Sequence, residues 1–250
     1  ITALDGDVVV ETSADVRVAG ITSNEDVSLT STAGSILDNQ ADRINVSASS
    51  LRFDANAGFG ASSNAFDTQV GTVAGRTIDG AVFLQDSADD LIIGSTQASS
   101  EVVAADSSIT VNAVAPLSGI VSGGADGSIV VTQTTGSINS IAPVLAVAGS
   151  GNVLLDAAGA LALNADILGS VSGNITLVGG NGLSIGSGVS TITGAGDIFM
   201  DAGSGALLQS STSITAAGEN VRLVATGDVT VAEVIADKIS VLSSANIITA

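Results

Sequence analysis

Short runs of alternating apolar and polar positions recur along the chain, each introduced by Gly followed by Asn, Asp or Ser. They read Gly6-Asp7-Val8-Val9-Val10, Gly127-Ser128-Ile129-Val130-Val131 and Gly151-Asn152-Val153-Leu154-Leu155. Gly173-Asn174-Ile175-Thr176-Leu177 and Gly196-Asp197-Ile198-Phe199-Met200 follow, with Glu219-Asn220-Val221-Arg222-Leu223 as a variant. From residue 127 onward the intervals between these runs are 24, 22, 23 and 23 residues. Period-two alternation with β-branched enrichment predicts strands, and Gly, Asn, Asp or Ser at each break predicts tight corners. No stretch of about 10–12 residues carries a 3.6-residue period, so helix is not expected.

A unit holding two or three such short strands cannot bury an apolar face by itself. Stacking the units does, because every strand then pairs with its copy above and below. The predicted fold is all-β: a single-stranded parallel β-helix with about 17–24 residues per coil and roughly 11 coils, a rod of about 50–55 Å. Inward positions should form aliphatic columns such as Val153, Ile175, Ile198 and Val221. Asn152, Asn174, Asp197 and Asn220 should stack beside a corner, where amides can hydrogen-bond along the column. Residues 1–250 read as one continuous β-helix segment, expected to belong to a longer chain. Residues 1–52 and 127–250 form regular coils, and 53–126 form less regular coils with longer corners. The narrow interior predicts few rings inside, so the cluster Phe53, Phe59, Phe66 and Phe83 reads as corner packing.

Composition narrows the chemistry. The chain lacks Cys, His, Trp and Tyr, which removes Ser-His-Asp and Cys-His nucleophile systems and thiolate zinc sites. Six basic and 25 acidic residues leave a formal charge of −19, which repels phosphate backbones and anionic lipid. Nucleic acid is therefore not an expected partner. Mean hydropathy is +0.55, yet the most apolar stretch, Ile141–Leu163, is interrupted by Pro143, Gly149, Ser150, Gly151, Asn152 and Asp156. A spanning helix needs about 20 apolar residues in succession, so membrane insertion is not expected either.

The succession of Gly-Asn/Asp-Val/Ile-x-Leu units resembles the filamentous-haemagglutinin-like large exoproteins and related giant β-helical adhesins of bacteria. The stretch from Asn64 through Val73 to Gly80-Ala81-Val82-Phe83-Leu84 is similar to their repeat language. The resemblance implies a right-handed β-helical shaft, secreted and displayed at the bacterial surface. Neither Pro116 nor Pro143 follows Asn, so the Asn-Pro-Asn motifs of that family's secretion domain are missing. Binding residues of the family do not lie in such repeats, and none is carried over.

Parallel β-helices also support polysaccharide-degrading enzymes, so paired acids need weighing. Asp89-Asp90 and Glu25-Asp26 are the adjacent acid pairs. The Gly-His-Gly and Arg-Ile-Lys companions of β-helical pectin hydrolases are missing, and no Trp or Tyr is present to build a sugar platform. Both pairs read as solvated turns. Lys238 beside Asp237 reads as a surface pair. Gly179-Gly180-Asn181-Gly182-Leu183-Ser184 approaches the calcium repeat Gly-Gly-x-Gly-x-Asp but has Ser at the ligand position. Thr132/Thr134 and Thr191/Thr193 do not extend into the regular Thr array of an ice-binding face. Arg17, Arg43, Arg52, Arg76 and Arg222 are too dispersed for an anion site.

No catalytic, cofactor-binding or metal-ligating residue is assigned, and no cofactor is expected beyond weak calcium binding. The expected function is structural and non-catalytic: a shaft or filament-forming segment of a secreted cell-surface adhesin. A calcium-dependent extracellular binding module and a polysaccharide-degrading enzyme are the alternatives. Expected partners are further β-helix, docked end to end from the same or an identical chain, and a host or neighbouring-cell receptor or glycan.

Overall fold

The computed structural model describes all residues except 41–42, 104, 190, 193–195, 211–212 and 250. It is an all-β parallel solenoid of about 11 turns. The described residues contain no helix, and hence none long and apolar enough to cross a membrane.

In the second half, Val82–Asp86, Ile129–Gln133, Val153–Ala157, Ile175–Gly179 and Ile198–Asp201 stack in parallel register. The series continues through the later parts of Ser213–Ala225 and Glu233–Ser243. Val82, Ile129, Val153, Ile175, Ile198, Val221 and Ile239 therefore form one column, each paired with the next. The first six are at most 2% exposed. Alternate residues of each strand point inward, which is why burial alternates along Val153–Ala157 and Ile175–Gly179. Burying each such aliphatic side chain contributes about 1.5–3 kcal/mol. Two further series complete the three sides of each coil. One runs from Asp90–Ile93 through Ser137–Ser140, Leu161–Leu163, Leu183–Ile185, Leu207–Gln209 and Val229–Val231 to Ile247–Thr249. The other runs from Ile120–Ser122 through Val144–Ala146 and Ile167–Leu168 toward Ser213–Ala225.

The corner column is present, with its bonds directed mainly at the backbone and one amide bond along the column, from Asn220 Nδ2 to Asp197 Oδ1 at 2.8 Å. Asn174 N–H donates to Asn152 Oδ1 at 2.8 Å, Asp197 N–H to Asn174 Oδ1 at 2.9 Å, and Asn220 N–H to Asp197 Oδ1 at 3.1 Å. Each side chain thus satisfies the corner N–H of the following coil, which has no strand partner of its own. An acceptor oxygen is what this place demands, so Asn, Asp and Ser interchange there. Asn152 N–H itself donates to Ser128 Oγ at 3.1 Å.

The two halves are not in phase. In the first half the three series are Thr2–Ala3 with Ile21–Ser23, Val8–Thr12 with Asp26–Ser31, and Val16–Val18 with Ile36–Asp38. Strand Val82–Asp86 then lies across a corner of this stack: Val82 pairs with Phe59, whereas Leu84 and Asp86 pair with Phe66 and Thr68. In the same way, Phe66–Thr77 supports Ile92–Ile93 through Thr72–Val73 and Ile120–Ser122 through Gly75–Thr77.

Where the strand spans two faces, rings take inward places in the aliphatic columns: Phe53 follows Leu29, Phe59 lies between Ile36 and Val82, and Phe66 pairs with Leu84. Phe53, Phe59 and Phe66 are fully buried, with centroids 3.9 and 4.5 Å apart. This differs from the expectation that the phenylalanines serve corner packing: three of them stack inside the core, and Phe83 alone of the four is half-buried on the outer surface. Gly75 makes the room, since a Cβ there would overlap the Phe53 ring.

Candidate functional site

The long corner between Ile93 and Ile120 opens into a two-stranded antiparallel arm. Ser95–Thr96 pairs with Leu117–Ser118, and Ser99–Val103 pairs with Ile109–Ala113. The arm folds back along the outside of the first half. Its base packs on Phe66–Thr77 and Val46–Ala55, and Ser99–Val103 reaches Val8–Thr12. Ser99 donates through N–H and Oγ to Asp7 Oδ2, at 2.6 and 3.1 Å, across 92 positions of sequence. Beneath it, outward-pointing Ser28, Arg52 and Ala74 are buried, as are Thr96 and Ala98 of the arm.

Arg52 is the clamp. It is 4% exposed, and Nε donates to the Ala115 carbonyl of the arm at 2.8 Å. Its Nη1 donates to Ser28 Oγ at 3.3 Å and Thr30 Oγ1 at 3.2 Å, and Nη2 to Asp54 Oδ2 at 3.2 Å. Burial pulls the Arg52 guanidinium below its ordinary range, and the Asp54 charge opposes that shift. Asp54 also receives Arg76, from Nε at 2.9 Å and Nη2 at 3.1 Å, and this bond raises the Arg76 pKa. The result is a cation-carboxylate-cation chain that fixes the arm and gives every nitrogen of the buried guanidinium a hydrogen-bond partner.

A second polar cluster lies inside the out-of-phase junction. Asp86 is fully buried and accepts from Thr68 Oγ1 at 2.7 Å, Val70 N–H at 3.0 Å, Ala88 N–H at 2.9 Å and Gln133 Nε2 at 2.9 Å. Desolvation pushes its pKa up, and these four donors hold it back. With both oxygens bonded, the carboxyl ties Thr68, Val70 and Ala88 to Gln133 across the junction. Asp38 and Asn45 form a smaller cluster, with Asn45 Nδ2 donating to Asp38 Oδ1 at 2.6 Å.

The acid pairs singled out from sequence serve the ladder. Asp90 Oδ1 accepts Ser137 N–H at 2.9 Å, and Asp89 and Asp90 are both exposed. Asp26 N–H donates to Asp7 Oδ1 at 3.2 Å, while its carboxylate accepts Ser50 Oγ at 2.8 Å; Glu25 is exposed. Gly179–Ser184 turns a corner, with Leu183 buried in the core. Thr134 donates to the Asp86 carbonyl at 3.1 Å, and Thr193 lies outside the described residues. Lys238 is exposed and makes no ion pair among the described residues. Among those residues no three acid side chains converge in a way that could hold a metal ion.

Sequence reasoning missed the arm and the burial of Arg52. The signal was there: the β-branched pair Val102-Val103 and the alternating Ile109-Thr110-Val111 flank the turn residues Asp106-Ser107-Ser108. Ser107 adopts a φ of 66°, the left-handed conformation that closes this hairpin. No family model, no curated protein and no solved structure matches the chain.

Proposed function

We propose that this chain is a non-catalytic structural shaft of a secreted bacterial surface exoprotein of the filamentous-haemagglutinin-like kind. The observation that carries the reading is the unbroken column from Val82 to Ile239, accompanied by the corner bonds from Ser128 to Asn220. Such a ladder resists bending and extension, because every coil is tied to the next by backbone bonds on three sides. The polar groups at Arg52, at Asp86 and along the corner column bond within the protein and hold arm, junction and coils. The acidic surface keeps a repetitive β-protein soluble and gathers calcium only as a loosely held counter-ion. Partners would be further β-helix at the ends, and a receptor or glycan engaged by another part of the assembly.

Negative-stain electron microscopy tests the reading. Rods of about 50–55 Å, or multiples of that length, support a shaft. Compact particles, or release of reducing ends from acidic polysaccharides, would overturn it in favour of an enzyme. Calorimetric titration with calcium separates the binding-module alternative: saturable heats below millimolar calcium would favour that module.

A further inference from the structure

We infer that the outward face of the strands from Val153–Ala157 to the later part of Ser213–Ala225 is a lateral pairing surface for a second copy of this chain. The two rods lie side by side and antiparallel, with Arg222 of each copy on Asp156 of the other. This pairing rests on these coils alone and goes beyond the shaft reading.

Two outward columns run up this face. Leu154, Thr176, Phe199 and Arg222 pair in succession along one of them. Asp156, Val178, Asp201 and Val224 pair in succession along the other, two residues further on each strand. All are half-buried except Arg222, which is exposed. Leu154, Phe199, Val178 and Val224 make the face largely apolar on a chain of formal charge −19.

Two charged groups here have no partner within their own copy. Asp156 sits between Thr132 and Val178 in its column and makes no hydrogen bond or ion pair among the described residues. Burial alone raises its pKa, with no donor to oppose it. Asp201, by contrast, is engaged at its own corner, where Oδ1 accepts Gly203 N–H at 2.8 Å. Arg17, Arg52 and Arg76 each hold an aspartate of their own copy. Arg222 holds none among the described residues and lies 5.7 Å from the centroid of the Phe199 ring. A half-desolvated carboxylate and an unpaired guanidinium thus share one apolar face, three coils apart.

That spacing is self-complementary. A two-fold axis along the strand direction, midway between the coils of Thr176 and Phe199, sets the coil of Arg222 over that of Leu154 and Asp156 in the other copy. Sheets packed face to face lie about 10 Å apart. Arg222 then descends on Leu154 and reaches Asp156, about 7 Å further along the same strand. The axis repeats this contact at the other end. Between the two ion pairs Phe199 covers Thr176, and Val224 shields Asp156 from water. Sliding one coil in either direction brings Arg222 over Ile129–Gln133 or Ile175–Gly179, and neither strand offers a carboxylate. Because both copies use the same patch, the contact closes at a dimer.

These four coils give each copy roughly 19 Å by 13 Å of sheet. A standard interface takes about 800 Å² from each partner, so this pair should be weak and form at high concentration. Sedimentation equilibrium of the 250-residue protein from about 10 to about 500 µM tests it. Wild type should approach twice the monomer mass and go no further. Arg222→Asp sets aspartate against Asp156, and Asp156→Arg sets arginine against Arg222. Each variant alone should associate at least about tenfold more weakly than wild type. An equimolar mixture of the two should recover dimers, since every contact then joins one Asp to one Arg, and that recovery also shows that both variants fold. The double variant should recover them as well. Wild type that stays monomeric at about 500 µM overturns the pairing. So do single variants that associate like wild type, a mixture that stays monomeric, or masses that climb past the dimer. The shaft reading is judged separately, by rod length.

Discussion

Arg52 Nε and the Ala115 carbonyl lie 2.8 Å apart although 63 positions separate them in sequence. That bond joins the arm to the outside of a solenoid whose remaining contacts run mostly between successive coils. Together with the Ser99–Asp7 bonds it anchors what would otherwise be a two-stranded ribbon, a form with little independent stability in water.

Replacing Arg52 by Ala should therefore free the arm before it unfolds the rod. Loss of the buried bonds is expected to cost about 2–4 kcal/mol. Limited proteolysis should begin to cut within 95–118, and amide exchange should accelerate there while the second-half coils stay protected. Equal acceleration throughout would show that the clamp supports the whole solenoid.

Asp86 makes stability depend on pH in an unusual direction. Its folded pKa is raised by desolvation, while an unfolded Asp titrates near about 3.9. Below that value both states hold the proton, and the contribution is fully present. It is lost as pH rises through the folded value, because the carboxylate must then ionise without water. Asp86→Asn should remove this loss, so its urea-unfolding free energy should fall less than wild type between about pH 3.5 and pH 7. Parallel curves would show that the four donors fully offset the desolvation.

Asn174 separates the need for an acceptor from the effect of charge. Asn174→Ala removes the acceptor for Asp197 N–H and should cost about 1 kcal/mol. Asn174→Asp keeps the acceptor but sets two carboxylates on adjacent coils. Its loss should shrink with added salt, whereas the Ala variant's should not. Thermal melts at two ionic strengths distinguish them.

The ring stack should behave as a plug. Phe59→Ala should cost about 3–5 kcal/mol through the cavity it leaves. Gly75→Ala should cost about 1–3 kcal/mol, because the added methyl meets the Phe53 ring. Combining Gly75→Ala with Phe53→Leu should recover part of that loss, as the smaller side chain gives way. Additive losses in the double variant would place the conflict elsewhere.

Much of this architecture is legible in one dimension. Alternation at Val153-Leu154-Leu155 and its copies at intervals of 22–24 residues predicts strand, repeat and stacking together, since only parallel stacking buries such short strands. The acceptor at Asn152, Asn174 and Asp197 is visible too, because each coil poses the same corner N–H.

What the amino-acid order alone determined is the local rule: which residues point inward, where corners fall, and that one coil must rest on another. Tertiary structure decided what this rule leaves open. Phase between the halves depends on whether Val82–Asp86 sits on one face or across two, a choice tied to how Phe53, Phe59 and Phe66 stack inside the core beneath it. The fate of Arg52 was equally hidden, since an arginine alternating outward reads as solvated until Ala115 arrives to bury it. Periodic sequence encodes contacts between neighbouring coils; contacts that skip coils carry no period, and only the folded chain brings them together.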